Sequence, residues 1–128
     1  MKSAAFNYVR AASVEQAIGA LSSAGDAYSK LLGGGQSLGP MLNLRLVQPE
    51  HLIDLSKLPA LRQWSVQDET LRIGAGVRHA EVEDGKLEDV TRGLLPHVAG
   101  GIAYRAVRNR GTIGGSLAHA DPAADWVA

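Results

Sequence analysis

The chain has 128 residues, the length of one ordinary domain, and its 13 basic and 13 acidic side chains leave no net charge. A neutral balance gives no support for non-specific nucleic-acid binding, which needs a basic face. The absence of cysteine excludes disulfides, a thiolate nucleophile and a cysteine-ligated iron–sulfur cluster within this chain. The apolar runs are too short to span a bilayer, and the start holds no stretch of signal-peptide length. We therefore expect a soluble, cytoplasmic protein.

The first fifty-five residues alternate between strand and helix patterns, which is typical of a compact α/β unit. Ser13 and Gln16 have the spacing of a capping box at the start of a helix, and Gly25 supplies its end. Pro40 suits the first turn of a second, shorter helix. The predicted strands and the second helix cover residues 6–10, 28–32, 51–55 and 38–46, in that order.

The pattern changes after Pro59, where two alternating segments predict an antiparallel hairpin. Helical patterns follow, and Asp121 before Pro122 has the character of a helix N-cap. The hairpin strands and the two helices are predicted over residues 62–66, 70–74, 77–90 and 94–99.

Arg105, Arg108 and Arg110 alternate with apolar residues in the segment before the last glycine motif. They fit a solvated loop. They equally fit a source of positive charge, either for the pyrophosphate of a dinucleotide or for an acidic partner surface. The sequence leaves both interpretations open.

Two short glycine motifs echo each other, Gly-Gly-Gln-Ser at residues 34–37 and Gly-Gly-Ser-Leu at residues 114–117. Adjacent glycines allow a close backbone approach, and consecutive amides at a helix start favour an anion such as phosphate. Two such loops could hold the two phosphates of one dinucleotide. A single glycine-rich turn after a strand is usually only a tight turn, and neither motif is a standard nucleotide fingerprint.

A metal site could be drawn from His119, Asp121 and Asp125. These ligands are too few and too hard for zinc, and Asp121 already fits the role of a helix cap. We therefore predict no metal site. No arrangement of side chains suggests a catalytic triad or a nucleophile either.

The residues around both glycine motifs resemble one known family. Residues 33–38, with 43–45 and 49–54, resemble the first FAD motif of the flavin subunits of molybdenum hydroxylases. Residues 108–122 resemble the second motif of these subunits, which are the medium subunits of the carbon monoxide dehydrogenase and xanthine dehydrogenase family. The resemblance is specific because two long motifs match in the same order, and it covers essentially the whole chain.

The resemblance implies an α+β fold of the vanillyl-alcohol-oxidase-like (PCMH-type) FAD-binding class. In that fold, residues 1–57 would form the N-terminal α/β FAD-binding subdomain. Residues 58–128 would belong to a second α+β subdomain, which we expect to be truncated because the family's flavin domain continues further.

The resemblance also implies an FAD site. The amides of residues 33–37 would hold the pyrophosphate, while His119 and Asp125 would lie along the ribityl chain or close to the flavin. The family often has alanine in place of Gly33 and asparagine in place of Ser116. The implied cofactor-binding residues are Gly33, Gly34, Gly35, Gln36, Ser37, Leu38, Thr112, Gly114, Gly115, Ser116, His119 and Asp125.

The implied function is that of an oxidoreductase subunit without a catalytic side chain of its own. A 2Fe-2S small subunit, reduced by a molybdopterin-binding large subunit, would pass electrons through FAD to an acceptor. One alternative is a flavin-free docking or assembly module, or an inactive fragment, of the same fold. A self-contained flavin oxidase is disfavoured, because no candidate base accompanies the motifs and no substrate domain fits the length.

Overall fold

The structure is a computed structural model that describes residues 1–123 and residue 126. Its strands are β1 (Asn7–Arg10), β2 (Ser29–Leu32), β3 (His51–Asp54), β4 (Trp64–Gln67) and β5 (Thr70–Ile73). Its helices are α1 (Val14–Ser23), α2 (Leu38–Asn43), α3 (His79–Glu83), α4 (Leu94–Gly101), α5 (Arg105–Arg108) and α6 (Ile113–His119). A short 3-10 helix, Pro59–Arg62, lies between β3 and β4. Within the described part of the chain, no helix combines the length and the apolar character that crossing a membrane requires.

The first sheet is parallel and has the strand order β1-β3-β2. Leu52 of β3 is in register with Tyr8 of β1 on one side and with Lys30 of β2 on the other. Because all three strands run in the same direction, their carboxyl ends lie at one edge of the sheet. Ligands of open α/β sheets usually bind at that edge.

Helix α1 begins with the predicted capping box. The Ser13 hydroxyl accepts a hydrogen bond from the Gln16 N–H at 3.1 Å, and the Gln16 side chain accepts one from the Ala12 N–H. Gly25, in the left-handed region at φ +57°, follows the end of the helix. Both helix ends therefore lie where the local sequence places them.

The first core lies between α1 and the parallel sheet. Ile53 is 1% exposed and packs with Ala11, Ala17 and Leu58. Removing this apolar surface from water stabilises the α/β unit. Since Leu58 belongs to this core, the packing continues past residue 57, and the predicted subdomain boundary at that position stays a prediction.

The second sheet is the predicted antiparallel hairpin of β4 and β5. Asp68 and Glu69 form its two-residue turn, and both have positive φ, as a type I′ turn requires. A second core of Val77, Val82, Leu87 and Ala99 lies beneath the following helices.

Three segments differ from the sequence predictions. Helix α2 ends at Asn43 instead of residue 46, because Arg45 adopts a left-handed conformation at φ +56°. The helix predicted over 77–90 is only α3, which Gly85 at φ +65° follows. The glycine- and arginine-rich segment from Arg105 contains two helices, α5 and α6. Hydrophobic periodicity could not show these helices, because each is held by contacts outside itself.

The predicted cap at Asp121 is present as a local hydrogen bond. Its carboxylate accepts a hydrogen bond from the Ala123 N–H at 2.9 Å. This is the contact that a helix N-cap or an Asx turn makes.

Candidate functional site

The first glycine loop, which we define as residues 33–37, directly follows β2 at the carboxyl edge of the parallel sheet. Asp54 ends β3 at the same edge and is 4% exposed. Its carboxylate accepts hydrogen bonds from the Tyr8 hydroxyl and from the Ser56 N–H, the latter at 2.7 Å. Burial alone would raise the pKa of Asp54, but these hydrogen bonds outweigh it and leave the pKa below its usual value.

The backbone amides of the first glycine loop are not used by the other groups of the protein that the structure describes. None of the five N–H groups donates a hydrogen bond to another residue in the described part of the chain. The carbonyls of Gly35 and Ser37 are engaged instead, by the N–H groups of Gly39 at 2.9 Å and Met41 at 3.2 Å, where α2 begins. The Ser37 side chain does not cap the helix. This arrangement leaves a group of donors suited to an anion.

The second glycine loop, which we define as residues 110–115, packs directly against the first. A Cβ added to Gly34 in ideal geometry would lie 2.1 Å from the carbonyl oxygen of Arg110. A Cβ on Gly33 would lie 3.1 Å from the Thr112 hydroxyl oxygen. The two motifs that the sequence pairs are therefore neighbours in space. The close approach that Gly34 allows is to the other loop of the protein.

The amides of the second glycine loop are used inside the protein. The Ile113 N–H donates to Val77 O at 3.0 Å, and the Gly114 N–H donates to Ala75 O at 2.9 Å. The Gly115 N–H donates to the Thr112 hydroxyl at 3.1 Å, because Thr112 is the N-cap of α6. The second motif thus differs from the open amide cradle that its sequence suggests.

The residue type at position 114 has a packing reason. A Cβ there would lie 2.5 Å from the Ala75 Cβ, so one of the two segments would have to shift. Glycine is needed because α6 starts directly on the segment that follows β5. The assignment of Thr112, Gly114, Gly115 and Ser116 as FAD contacts stays a prediction.

Helix α3 is attached to the second glycine loop at its N-terminal end. The His79 N–H donates to Gly111 O at 3.0 Å, and Arg78 and Thr112 form an isolated antiparallel bridge. Thr112 is 7% exposed and His79 is buried. The His79 ring packs against the ring of Trp126, with centroids 5.6 Å apart. The sequence leaves His79 either structural or exposed, since nothing in the pattern marks a lone histidine as buried.

Two of the three arginines are held in ion pairs within the protein, a role that neither interpretation from the sequence gave them. The Arg108 guanidinium contacts both Glu83 carboxylate oxygens, at 2.8 and 2.9 Å. Arg105 contacts Glu83 at 2.8 Å and both oxygens of Asp84, at 2.6 and 2.8 Å. These contacts lower the pKa of Glu83 and of Asp84 and raise that of Arg105. Both arginines belong to α5 and not to an open loop, and the Arg108 side chain is 11% exposed whereas that of Arg105 is 48% exposed.

Arg110 differs from the other two arginines. It is exposed, and within the described residues its side chain makes no ion pair and no hydrogen bond. Its carbonyl contacts Gly34, so its backbone lies at the junction of the two glycine loops. For this arginine, the interpretation as a charge near a ligand phosphate stays open.

The remaining predicted site residues are Leu38, His119 and Asp125. His119 is exposed at the end of α6, and Leu38 begins α2 behind the first glycine loop. Asp125 lies outside the described residues. Over residues 1–123 and 126, no three or more histidine, aspartate or glutamate side chains are grouped as metal ligands would be.

Comparisons with known proteins identify the family to which this chain is similar. A family model described as the FAD binding domain in molybdopterin dehydrogenase matches residues 4–128. The chain is 46% identical over 125 residues to the 6-hydroxypseudooxynicotine dehydrogenase complex subunit alpha of Paenarthrobacter nicotinovorans. It is 42% identical over 120 residues to the carbon monoxide dehydrogenase medium chain of Hydrogenophaga pseudoflava. These matches cover 98% and 94% of this chain, respectively, and 42% of each relative.

A solved structure shows the same likeness. The carbon monoxide dehydrogenase of Hydrogenophaga pseudoflava that lacks the Mo-pyranopterin moiety superposes with a TM-score of 0.90 at 42% identity. The match covers 98% of this chain and 43% of that chain, so this chain spans less than half the length of its relatives. The likeness confirms the predicted α+β FAD-binding fold.

Proposed function

The chain belongs to the family of FAD-binding domains in molybdopterin dehydrogenases, and we propose that it forms the pyrophosphate-binding part of the FAD subunit of a molybdenum hydroxylase. Membership of the family establishes FAD as the cofactor. The proposal concerns which residues hold it and what the whole protein does. The relatives whose names state an activity are subunits of dehydrogenases and hydroxylases.

One observation carries the proposal, namely the first glycine loop at the carboxyl edge of the parallel sheet. Five consecutive amides with no acceptor in the described chain fit the charge of a pyrophosphate. Gly35, at φ +72°, adopts the left-handed conformation that this tight loop requires. The residues present therefore fit FAD, with Gly33, Gly34, Gly35, Gln36 and Ser37 supplying the phosphate contacts.

The chain's own residues bind and orient the cofactor. FAD, when bound, supplies the redox chemistry that no side chain of this protein provides. The second glycine loop lies beside the first, and we propose that Thr112, within that loop, and Ser116, which follows it, extend the site along the cofactor. We retain His119 and Asp125 as further predicted contacts toward the flavin.

The proposed electron path needs partner subunits. This chain contains no cysteine to hold an iron–sulfur cluster. We propose that a 2Fe-2S small subunit, reduced by a molybdopterin-binding large subunit, delivers electrons to FAD, which passes them to an acceptor. We also propose a cytoplasmic location, which fractionation of the native host would test.

The cofactor part of the proposal is tested by titrating the 128-residue chain with FAD. We expect a yellow protein, quenched flavin fluorescence and release of FAD on denaturation. A folded chain that stays colourless and leaves FAD fluorescence unchanged would contradict the proposed site. That result would favour the flavin-free docking module.

The partner part is tested separately in the native host. The tagged chain is isolated from cells, and the co-purifying chains are analysed by mass spectrometry together with molybdenum and iron content. We expect one large molybdenum-containing subunit and one iron-containing subunit. Isolation with neither metal above the level of an untagged control would contradict the proposed complex.

A further inference from the structure

We propose that Glu83 is a positioning residue for FAD binding, which holds the second glycine loop against the first through Arg108. The inference rests on the proposed function, because it concerns the two loops expected to enclose the FAD phosphates. Glu83 does not belong to either loop, and neither glycine motif contains it.

Helix α5 has a single turn, Arg105–Arg108. One turn of helix is unstable by itself, so contacts outside the helix must fix its position. The Arg108 guanidinium supplies such contacts. It binds both oxygens of Glu83 and donates to the carbonyls of Ile102 and Ala103, at 2.9 and 3.0 Å.

The Glu83–Arg108 pair is the best protected of the three ion pairs that the described residues form at this end of α3. The Arg108 side chain is 11% exposed and that of Glu83 is 23% exposed, whereas that of Arg105 is 48% exposed. Exposed pairs contribute little to stability, while removal of one partner from a buried pair leaves an uncompensated charge. Loss of the Glu83 charge should therefore displace Arg108.

A short path connects Arg108 to the first glycine loop. The N–H groups of Arg110 and Gly111 both donate to Val107 O in α5, at 3.0 and 2.7 Å. The α5 turn therefore sets the position of the Arg110 carbonyl, which lies against Gly34. A shift of α5 would open the junction between the two loops.

Helix α3 fixes this segment at both of its own ends. Its C-terminal residue Glu83 binds Arg108, and the N–H of its first residue, His79, binds Gly111 O. The segment 108–111 is thus spanned by one helix of five residues. This arrangement gives Glu83 control over a site that it does not touch.

The test is Glu83→Gln, which keeps the shape of the side chain and removes its charge. We expect faster amide hydrogen exchange in residues 109–114 of the free chain, while exchange in α1 stays unchanged. We also expect the dissociation constant for FAD to rise about tenfold, as in other cases of coupling through a packed network. Saturating FAD should restore the protection of residues 109–114, because bound cofactor would hold the loops together.

The matched control is Asp89→Asn, which removes one negative charge from the same half of the chain. Asp89 accepts hydrogen bonds from Thr91 and Gly93 and none from residues 105–112. The Asp89→Asn variant should leave FAD affinity and amide exchange in residues 109–114 unchanged. The variant Arg108→Gln should reproduce the effect of Glu83→Gln. The double variant should bind FAD no more weakly than the weaker-binding single variant, because the two substitutions remove the same link.

The outcomes separate this inference from the proposed function. The first outcome is that the wild-type chain binds FAD, and that the Glu83→Gln chain has the same FAD affinity and the same amide exchange. This outcome would overturn the positioning role alone. If the wild-type chain binds no FAD, the proposed function fails, while exchange in residues 109–114 still decides whether Glu83 holds the loop. Additive effects of Glu83→Gln and Arg108→Gln would also overturn the inference.

Discussion

The α-carbon of Gly34 faces the carbonyl oxygen of Arg110 with no space for a side chain, since an added Cβ would lie 2.1 Å from that oxygen. The contact joins the loop after β2 to the loop before α6, which are more than seventy residues apart in the sequence. The two glycine motifs are therefore parts of one structure. Their glycines allow the contact between the loops, and we propose that those of the first loop also allow access for a ligand.

Gly34→Ala should separate the two loops and weaken FAD binding by at least about tenfold, with a loss of stability of about 1–3 kcal/mol from overpacking. Urea unfolding and FAD titration measure the two effects. The control is Gly39→Ala in α2, where an added Cβ meets nothing within 4 Å. That change should stabilise the chain slightly, because alanine favours the helix. Unchanged FAD affinity in Gly34→Ala would mean that the loops need not touch to bind the cofactor.

Thr112→Val should cost about 1 kcal/mol of stability, because it removes the hydroxyl that accepts from the Gly115 N–H at 3.1 Å. The measurement is the free energy of unfolding in urea. Thr112→Ser keeps the capping oxygen and should retain most of the stability. Equal losses in both variants would assign the effect to the methyl group of Thr112 instead of the cap.

Arg110→Glu should weaken FAD binding by about threefold to tenfold and leave stability within about 0.5 kcal/mol of wild type. The reason is that Arg110 is exposed beside the loop junction and makes no ion pair within the described residues. The affinity difference should shrink as salt is raised. Arg72→Glu, at an exposed position on β5, is the control for net charge. Equal effects of both variants would remove Arg110 from the site.

Asp54→Asn should lower stability by about 1–3 kcal/mol near neutral pH, because it weakens a buried carboxylate's hydrogen bonds to Tyr8 and Ser56. The pKa of Asp54 in the folded chain lies below its ordinary value of 3.8. Its contribution is therefore complete above that value and is lost as the pH falls through the lowered pKa. Urea unfolding between about pH 7 and about pH 2 should show the difference from wild type shrinking at the acid end.

The control for this profile is Asp26→Asn, at an exposed carboxylate that accepts no hydrogen bond from a described residue. It should change stability by less than about 0.5 kcal/mol at neutral pH. A difference between Asp54→Asn and wild type that stays constant at every pH would show that the charge of Asp54 does not contribute.

The sequence predicted the elements whose signals are local. The capping box of Ser13 and Gln16, the strands of the parallel sheet and the hairpin turn at Asp68 all lie where pattern and turn chemistry place them. Helices α5 and α6 could not be found in this way. Their positions depend on ion pairs from Glu83 and on a cap and backbone contacts at Thr112, which no nearby pattern reveals.

The candidate site, too, could be predicted from the sequence only in part. The first glycine loop follows a strand and a helix follows it, so its role could be inferred from neighbouring residues. The second motif also begins with two glycines, but the carbonyls of Ala75 and Val77, nearly forty residues earlier, accept hydrogen bonds from the amides of Gly114 and of Ile113 before it. The partners of Arg105 and Arg108 were missed for a related reason, since Glu83 and Asp84 lie over twenty residues earlier in the chain.

The strand order β1-β3-β2 has a consequence for the order of assembly. β1 and β2 do not pair with each other, and each pairs only with β3. During synthesis, neither of the first two strands can enter a sheet until residues 51–54 have emerged. Before the first sheet can form, the segments that join β1 and β2 to β3 must both close, and this closure costs conformational entropy. We therefore expect the first glycine loop, which follows β2, to acquire a defined conformation only after β3 has been synthesised and has paired with β2.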